Sequence, residues 1–252
     1  LWVSCMNLVS VKIMKTFKAD LHIHTCLSYC AELEMTPKNI VKESEKRGLN
    51  IIGICDHNSC ENAISVKRSA RNMDLDIIGG IEVTSKEEVH VLALFDNEKS
   101  LHSMQQIIYD NLIETDDEKI FGDQVIVNEN DEVLGFNKKL LIGAADLSIE
   151  RIVNYIHELG GIAIASHVDR ERFSLISQLG FIPEGLILDA LEISNKNRIQ
   201  DFNDKSLPIV TFSDAHSLKD IGRNYTSFSM EQLTFDEMRK SLRGEEGRKI
   251  EI

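Results

Sequence analysis

The sequence has little proline and a deficit of basic residues. Only 3 prolines occur in 252 residues, and no proline-rich linker, low-complexity tract or fixed-period repeat interrupts the chain. With 42% hydrophobic and 27% charged residues, the composition is typical of an ordinary globular protein and excludes a disordered one. The 28 Lys and Arg residues are outnumbered by 41 Asp and Glu, giving a formal net charge of −13. This charge disfavours a broad basic surface, so we expect no duplex DNA partner.

Signals for export and for membrane insertion are also missing. Residues 1–13 are apolar, but no basic region precedes them and they are too short to span a membrane. The 5 cysteines therefore indicate a reducing compartment, and we expect free thiols, no membrane partner and a cytoplasmic location. Met14 is a more natural start than Leu1. We expect residues 1–16 to form an extension with little structure and residues 17–252 to form a single domain.

Short apolar runs alternate with amphipathic segments along most of the chain. Ile51–Cys55, Ile77–Ile81 and Ile162–Ala165 have the length and β-branched content of buried strands, and residues 148–159 have the periodicity of a helix. This alternation predicts an α/β barrel in a single domain. Residues 97–147 break the pattern, because a helix is followed there by a predicted hairpin. This insertion would shape either a pocket rim or an oligomer contact, and the sequence does not indicate the oligomeric state.

His22 and His24 follow an apolar run and are separated by one residue. In an extended strand, residues i and i+2 lie on the same face, so the two imidazoles would point in the same direction. Two such imidazoles make half of a metal site. The pattern is short, and a surface strand with two solvated histidines would also explain it.

Side chains of the metal-binding type recur at or beside the ends of several predicted strands. Six of the 8 histidines lie in this set, and only His102 and His157 fall inside helical segments, where we expect them at the surface. A parallel barrel gathers the carboxyl ends of its strands at one face, where the active sites of such barrels lie. The set predicts that folding brings together His22, His24, His57, Glu82, His90, His167, Asp214 and His216.

The ordered motifs H-x-H, D-H-N, G-x-E, a later H, S-H and S-D-A-H resemble those of the polymerase and histidinol phosphatase (PHP) family, especially its stand-alone metal-dependent phosphoesterases. The resemblance runs from about Lys18 to Thr226. It implies a TIM-like, distorted (β/α)7 barrel with two or three divalent metal ions at the carboxyl ends of its strands. It also implies one ion on His22 and His24 with Glu82 bridging, a second on His57, a third on His90 and His167, and Asp214 and His216 completing the cluster.

Cys30 departs from the family pattern, since many relatives carry an Asp or His ligand in this loop. A thiolate would favour zinc over manganese or magnesium, whereas a buried neutral thiol would have no metal role. The sequence leaves both readings open, and we include Cys30 among the candidate ligands.

Mixed imidazole and carboxylate ligands suit Zn²⁺, Mn²⁺ or Fe²⁺ better than Mg²⁺. Two carboxylates, Glu82 and Asp214, facing two or three dications would leave a positive cavity that attracts phosphate despite the acidic exterior. Metal ions that share a carboxylate can activate a water for attack on phosphorus.

Three further residues are candidates for catalytic roles. Relatives often carry an arginine at the place of Arg170 that touches the substrate phosphate, and Arg223 is a second candidate because the arginine fork matches phosphate oxygens. Surface ion pairs would be the ordinary alternative for both. Asp56 could hold an imidazole in the correct tautomer, with Asn58 lining the site.

We therefore predict a metal-dependent phosphoesterase with a small phosphorylated substrate, such as a nucleotide, a nucleoside bisphosphate or histidinol phosphate. Short single-stranded nucleic acid is a further candidate partner. Two alternatives remain: a non-catalytic, metal-stabilised module of the same family, and a metal-dependent amide or lactone hydrolase that would not need Arg170.

Overall fold

The computed structural model describes residues 13–114, 122–202 and 207–252. The strands, in chain order, are β1 (Lys15–Ile23), β2 (Ile51–Ile54), β3 (Asp76–Thr84), β4 (His90–Phe95), β5 (Val125–Val127), β6 (Val133–Phe136), β7 (Ile162–Ala165), β8 (Ala190–Glu192), β9 (Ile209–Val210), β10 (Thr226–Met230) and β11 (Lys249–Glu251). The α-helices are α1 (Pro37–Lys46), α2 (Ala63–Ser69), α3 (Glu98–Tyr109), α4 (Ile149–Glu158), α5 (Leu175–Leu179) and α6 (Phe235–Arg243).

Nine of these strands form one sheet in the order β11-β10-β1-β2-β3-β4-β7-β8-β9. The seven strands from β1 to β9 in this order curl towards a barrel, because Ile23 at the end of β1 bridges to Ala215 just after β9. The His24 amide donates to the Ala215 carbonyl over 3.0 Å. The predicted distorted (β/α)7 barrel is thus confirmed, and β10 and β11 extend the sheet from the first half of β1.

Strand β4 runs opposite to the direction that a purely parallel barrel requires. It pairs antiparallel with β3 and with β7. The reason is the short connection between β3 and β4, which is a five-residue turn over residues 85–89, whereas a parallel crossover needs a dozen residues or more. The reversal brings His90, the first residue of β4, to the edge where the other strands end.

Helices cover the outside of the barrel. In α4 the residues Ile149, Ile152, Val153 and Ile156 are all buried, as their spacing predicts, and the Ser148 side chain caps the helix by accepting from the Arg151 amide. Strands β4 and β7 alternate between two apolar clusters, so one face of each strand packs inside the barrel and the other packs against helices. The barrel wall is therefore a rigid support for groups at its rim.

The insertion over residues 97–147 contains α3 and an antiparallel hairpin of β5 and β6, as predicted. The Asn62 side chain ties the hairpin to the barrel, since it donates to the Val125 carbonyl and accepts from the Val127 amide, both over 3.0 Å. Residues 115–121 of the insertion lie outside the described residues.

At the amino-terminal side, β1 begins at Lys15. Lys15 and Thr16 therefore belong to the strand and not to the expected extension, because they pair with Met230 and Ser229 of β10. Residues 1–12 lie outside the described residues. The cysteines within the described residues, Cys26, Cys30, Cys55 and Cys60, are free thiols, and Cys5 lies outside. No helix among the described residues has the length and apolar character needed to cross a membrane.

Candidate metal centre

Folding brings the predicted ligands together at one rim of the barrel. His22 and His24 lie at the end of β1 and just beyond it, His57 follows β2, Glu82 lies in β3 and His90 begins β4. His167 follows β7, and the loop after β9 carries Asp214 and His216. Seven of these eight side chains are at most 7% exposed, and His216 is the most accessible at 29%.

Glu82 lies at the centre of the cluster. Its Oε1 is 2.9 Å from His90 Nδ1, 3.1 Å from His167 Nε2 and 3.3 Å from His22 Nε2. Its Oε2 is 3.0 Å from His57 Nδ1 and 3.4 Å from His24 Nε2. The two oxygens of one carboxylate therefore face two groups of imidazoles, which is the arrangement of a bridging ligand.

Asp214 closes the cluster on the side of β1. Its Oδ1 lies 3.1 Å from His24 Nε2 and 3.3 Å from His22 Nε2, and its other oxygen accepts from Arg170. The His216 ring stacks on the His24 ring with 4.1 Å between centroids. These contacts place Asp214 between the metal-type ligands and the arginine.

Three overlapping groups of ligand atoms lie close enough together to hold a cation. Within each group all donor atoms are within 4.8 Å of one another. The groups are His22 with His24, Glu82 and Asp214, then His57 with Glu82 and His90, and finally His24 with His57 and His216. His167 lies outside these three groups but contacts Glu82, so it stays a predicted ligand.

Several buried nitrogen and oxygen atoms of the cluster have no hydrogen-bond partner among the described residues. His57 Nδ1 and Asp214 Oδ1 face the cluster, where they lie 3.0 Å from Glu82 Oε2 and 3.1 Å from His24 Nε2 without forming a hydrogen bond. The other two, His90 Nε2 and His167 Nδ1, are the ring nitrogens that do not contact Glu82. Buried polar atoms in folded proteins are almost always paired, so the two orphaned atoms that face the cluster indicate a missing ligand. Imidazole nitrogens mixed with carboxylate oxygens are the donor set of Zn²⁺, Mn²⁺ or Fe²⁺. The side chains present therefore fit divalent cations.

The charges of the cluster are strongly coupled. Burial penalises the charged form of Glu82, yet His90 and His22 hold the pKa of its carboxyl well below the usual range. Burial likewise disfavours charged His24, but the adjacent carboxylates of Asp214 and Glu82 raise its pKa to about 9. Burial lowers the pKa of His57 to about 4, so this imidazole is neutral near pH 7. Protons on His24 and a divalent cation would thus compete for the same carboxylate oxygens.

The backbone is strained at two of the predicted ligands. His167 has a φ of 31° and Asp214 a φ of 49°, in the left-handed region that non-glycine residues rarely adopt. Such conformations cost about 1–3 kcal/mol each and persist where the surrounding structure fixes them. The strain at both strand ends indicates that the direction of these two side chains matters to the site.

Glu192 is a buried carboxylate that the sequence reasoning did not single out. Its two oxygens lie 3.0 and 3.1 Å from His22 Nδ1, and one of them also accepts from the His167 amide over 3.2 Å. The contact orients the His22 ring so that Nε2 faces the cluster. An acidic residue flanked by the apolar Leu191 and Ile193 was the available signal.

Asp56 does not hold an imidazole directly, in contrast to the prediction. Its carboxylate accepts from the Thr25 amide and hydroxyl and, over 2.7 Å, from the Ser28 hydroxyl. Ser28 Oγ in turn lies 2.9 Å from His24 Nδ1 and accepts from the His57 amide. Because the Ser28 proton goes to Asp56, His24 Nδ1 must donate, which leaves His24 Nε2 as the atom facing the cluster.

Asn58 is a structural residue and not a lining group. Its side-chain nitrogen donates to the carbonyls of Leu141 and Gly143, and its oxygen accepts from the Thr84 amide. The end of the insertion is thereby held at the rim, where Ile142 lines the cleft. The structure thus places part of the insertion at the rim, one of its two predicted positions.

A cleft of about 650 Å³ opens over the cluster. Cys30 lines it as an exposed residue, yet the surrounding walls of the cleft reduce the hydration of the thiol and, together with the Glu82 charge, raise its pKa to about 12. Cys30 belongs to none of the three cation-binding groups found among the described residues, so its role as a ligand stays a prediction.

The two predicted arginines differ in position. Arg170 lines the cleft and pairs with Asp214. Arg223 is not among the described residues that line the cleft, and it pairs at the surface with Asp220 over 3.2 Å. Instead, Arg172 and Arg198 line the cleft, and sequence reasoning missed both. Of the two helical histidines, His102 is exposed. His157 lies away from the cluster, and its Nε2 is 2.8 Å from Asp189.

Sequence comparisons find relatives of this chain among archaea and bacteria. A Methanocaldococcus jannaschii protein, MJ1587, is 30% identical over 89 residues, 32% of this chain and 52% of its own length. The Bacillus subtilis protein YqxK is 26% identical over 94% of this chain and 64% of its own length. A 5′-3′ exoribonuclease of Haemophilus influenzae is 22% identical over 60% of this chain and 69% of its own length. The chain thus spans between about half and two thirds of these relatives.

Among solved structures, the lesion-specific endonuclease Q of Pyrococcus furiosus shares the fold with a TM-score of 0.75 and 22% identity. The match covers 94% of this chain and 58% of the endonuclease. A second endonuclease Q structure, in complex with a 27-mer duplex, matches with a TM-score of 0.73 and 22% identity. The match covers 93% of this chain and 58% of that chain. The prediction of no duplex DNA partner therefore finds no support in these comparisons, since a protein of this fold binds a duplex.

Two family models match successive parts of the chain. Residues 194–246 match a PHP-associated model. Residues 20–169, which carry the predicted ligands from His22 to His167, match the model of the PHP domain. The chain belongs to the PHP domain family.

Proposed function

We propose that the protein is a metal-dependent phosphoesterase that hydrolyses a phosphate ester bound in the cleft. The observation that carries this proposal is Glu82, whose two oxygens each face a separate set of imidazoles over 2.9–3.4 Å. One cation would be held by His22, His24, Glu82 and Asp214, and a second by His57, Glu82 and His90. When bound, such ions activate a water near neutral pH and stabilise the charge that develops on phosphate oxygens.

The protein's own side chains would orient the substrate. Arg170 donates through Nε to Ser194 Oγ over 3.0 Å and through Nη1 to Asp214, so its guanidinium is fixed at the wall of the cleft. The side chain is still 39% exposed, and its remaining N–H groups are available to a phosphate oxygen. Arg170 would thus hold the phosphate beside the cluster.

We propose a small or short phosphorylated molecule as the substrate. Nucleotides, nucleoside bisphosphates, histidinol phosphate and short single strands all place a phosphate at the end of a compact group, as a cleft of about 650 Å³ requires. The exoribonuclease and endonuclease names belong to the relatives, and they favour nucleotide substrates in our proposal.

Metal reconstitution tests the proposal. Protein stripped with a chelator and reloaded with Mn²⁺, Zn²⁺, Fe²⁺ or Mg²⁺ is assayed on p-nitrophenyl phosphate, a nucleoside bisphosphate and a trinucleotide. We expect turnover with at least one of the first three ions, and a loss of about 10³-fold or more in kcat for Glu82→Gln. His102→Ala, which changes an exposed histidine on α3, serves as the control.

Two outcomes would count for the alternatives. A protein that chelation destabilises but that turns over no substrate would be a metal-stabilised module. Hydrolysis of amides or lactones that Arg170→Ala leaves unchanged would indicate a metal-dependent amide or lactone hydrolase.

A further inference from the structure

Asp20 is a buried carboxylate to which the proposed chemistry gives no role. It lies in β1, close to His22, and is 0% exposed. Its Oδ1 accepts from the Ser213 amide over 2.9 Å, and its Oδ2 accepts from the Gly222 amide over 2.8 Å. Among the described residues, neither a lysine nor an arginine forms an ion pair with this carboxylate. A buried carboxylate needs partners that offset its lost hydration, and here two backbone amides supply them.

The two amides that Asp20 binds belong to the first and the last residue of one loop. We call this segment, residues 213–222, the ligand loop, because it carries the predicted ligands Asp214 and His216. One carboxylate thus joins both ends of the ligand loop to β1, the strand that also carries His22.

The contact lies at the seam where the barrel closes. Among the described strands, β9 ends at Val210 and pairs only with β8, so β1 and β9 share no ladder of hydrogen bonds. An isolated bridge between Ile23 and Ala215 joins the two sides of the seam. A buried amide without a strand partner is costly, and the Asp20 side chain takes the place of that partner for the Ser213 amide.

Asp214 lies between two anchored amides. The Ser213 amide before it is bound by Asp20, and the Ala215 amide after it donates to the His22 carbonyl over 3.2 Å. Between these anchors Asp214 has a φ of 49°, in the left-handed region. Such a conformation persists only where the surrounding contacts fix it, so loss of one anchor should let Asp214 relax. Its carboxylate would then no longer face the cluster.

We propose that Asp20 is a positioning residue that holds Asp214 in the direction required for cation binding. The inference rests on the proposed function, since it concerns the cation group that contains Asp214. A second cation group contains no residue of the ligand loop and consists of His57, Glu82 and His90. Loss of the Asp20 carboxylate should therefore weaken the first group and spare the second.

A double-mutant cycle tests this coupling. Asp20→Asn keeps the size of the side chain but replaces one acceptor oxygen by an amide group that cannot accept from an N–H. Zn²⁺ binding is measured by competition with a chromophoric chelator, and Asp214→Ala identifies the Zn²⁺ equivalent that depends on this carboxylate. In Asp20→Asn the affinity for that equivalent should fall about 10–100-fold. In the Asp214→Ala background the same substitution should cost less than about twofold, because the side chain that Asp20 positions is absent.

Asp189→Asn is the matched control. Asp189 is a largely buried carboxylate that also accepts from a backbone amide, that of Ala163 over 2.9 Å. Ala163 lies near the beginning of β7, away from the cluster. The control should lose stability but keep the affinity for every Zn²⁺ equivalent within about twofold. An equal loss of affinity in Asp20→Asn and in the control would overturn the inference, since both variants would then act through stability alone.

Amide hydrogen exchange in the metal-free protein provides a measurement that needs no cation. The Ser213 and Gly222 amides should be protected in the wild type. In Asp20→Asn at least one of the two should exchange about tenfold faster or more, because a charge-assisted hydrogen bond is lost. Rapid exchange of both amides in the wild type would overturn the inference even if no variant of Asp20 folds.

The remaining outcomes separate the inference from the proposed function. Unchanged Zn²⁺ affinity in Asp20→Asn would overturn the inference alone, as would an equal loss with and without the Asp214 carboxylate. A wild-type protein that shows the expected coupling but hydrolyses no substrate would refute the proposed function and support the inference. A wild-type protein that binds no divalent cation would refute both.

Discussion

The cluster depends on side chains that fix the imidazoles from behind. The Ser28 hydroxyl donates to Asp56, so its oxygen accepts a hydrogen bond from His24 Nδ1, and Glu192 contacts Nδ1 of His22. In both cases the outer partner determines which nitrogen faces the cluster. These imidazoles are thus oriented by hydrogen bonds, which would lower the cost of binding a cation.

Replacing Glu192 should weaken cation binding without removing a ligand. Glu192→Gln replaces a charged partner of His22 Nδ1 by a neutral amide, so affinity for Zn²⁺ or Mn²⁺ should fall about 10–100-fold. Competition with a chromophoric chelator measures this directly. Glu184→Gln, at an exposed position, is the control, and an affinity equal to that of the control would show that Glu192 does not position His22.

At the scale of elements, the contact between β1 and β2 leaves no room for a side chain at Gly53. A Cβ at Gly53 would lie 2.5 Å from the Leu21 carbonyl oxygen, which is backbone and cannot swing away. Gly53→Ala should therefore lower the free energy of unfolding by about 1–3 kcal/mol. Gly135→Ala in β6, where nothing lies within 4 Å, is the matched control in urea denaturation. Equal midpoints for the two variants would contradict the close approach.

Helix α6 is fixed to the carboxyl-terminal segment by a buried arginine. Arg248 is 3% exposed and donates to both oxygens of Glu237 over 3.0 and 2.8 Å. The hydrogen bonds from Arg248 lower the pKa of Glu237 to about 2, below its ordinary value of 4.5. A carboxyl with a lowered folded-state pKa stabilises the fold above its unfolded pKa and loses that contribution as the pH falls through the folded value.

The free energy of unfolding should therefore fall less steeply at acidic pH in Glu237→Gln than in the wild type. Wild-type protein should lose stability between about pH 4.5 and pH 2 by an amount that this variant does not lose. Chemical denaturation at several pH values measures the difference. Asp236 lies on the same helix, is 72% exposed and pairs with Lys240, so Asp236→Asn should keep the wild-type slope. A variant slope equal to that of wild type would exclude this role of the ion pair.

For the whole molecule, cations would join strands that are distant in the sequence. Predicted ligands from β1, β3, β4 and the loop after β9 meet at one point, so a bound ion would stabilise the folded state but not the unfolded chain. An ion present at about a thousand times its Kd would stabilise the fold by about 4 kcal/mol, and chelation should lower Tm by about 10 °C. Calorimetry with and without EDTA measures the shift. An unchanged Tm would contradict tight binding at the cluster.

Much of this site could be predicted because its ligands sit where strands end. The order of His22, Glu82, His167 and Asp214 in the sequence, each at or beside the end of an apolar run, was enough to predict their meeting in a barrel. The position of Arg198 could not be predicted, since it depends on loop contacts to Asp169 and Asp201 and not on periodicity.

Other differences have equally local reasons. The direction of β4 depends on a turn of five residues that the alternation of runs does not reveal. The partner of Asp56 depends on Ser28, a small polar residue of the kind common in any loop. Glu192 ends a strand of three residues, too short for a pattern to distinguish its carboxylate from a solvated one.

The reversal of β4 also bears on the order in which the chain organises itself. Glu82 and His90 are eight residues apart and meet across a tight hairpin, so their contact closes only a short loop. The other predicted ligands must come from strands that are distant in the sequence, and such contacts form more slowly. A cation captured by this hairpin would act as a template on which the remaining histidines assemble. Zn²⁺ added at the start of refolding should then increase the refolding rate, whereas Zn²⁺ added after collapse should only increase the stability of the folded barrel.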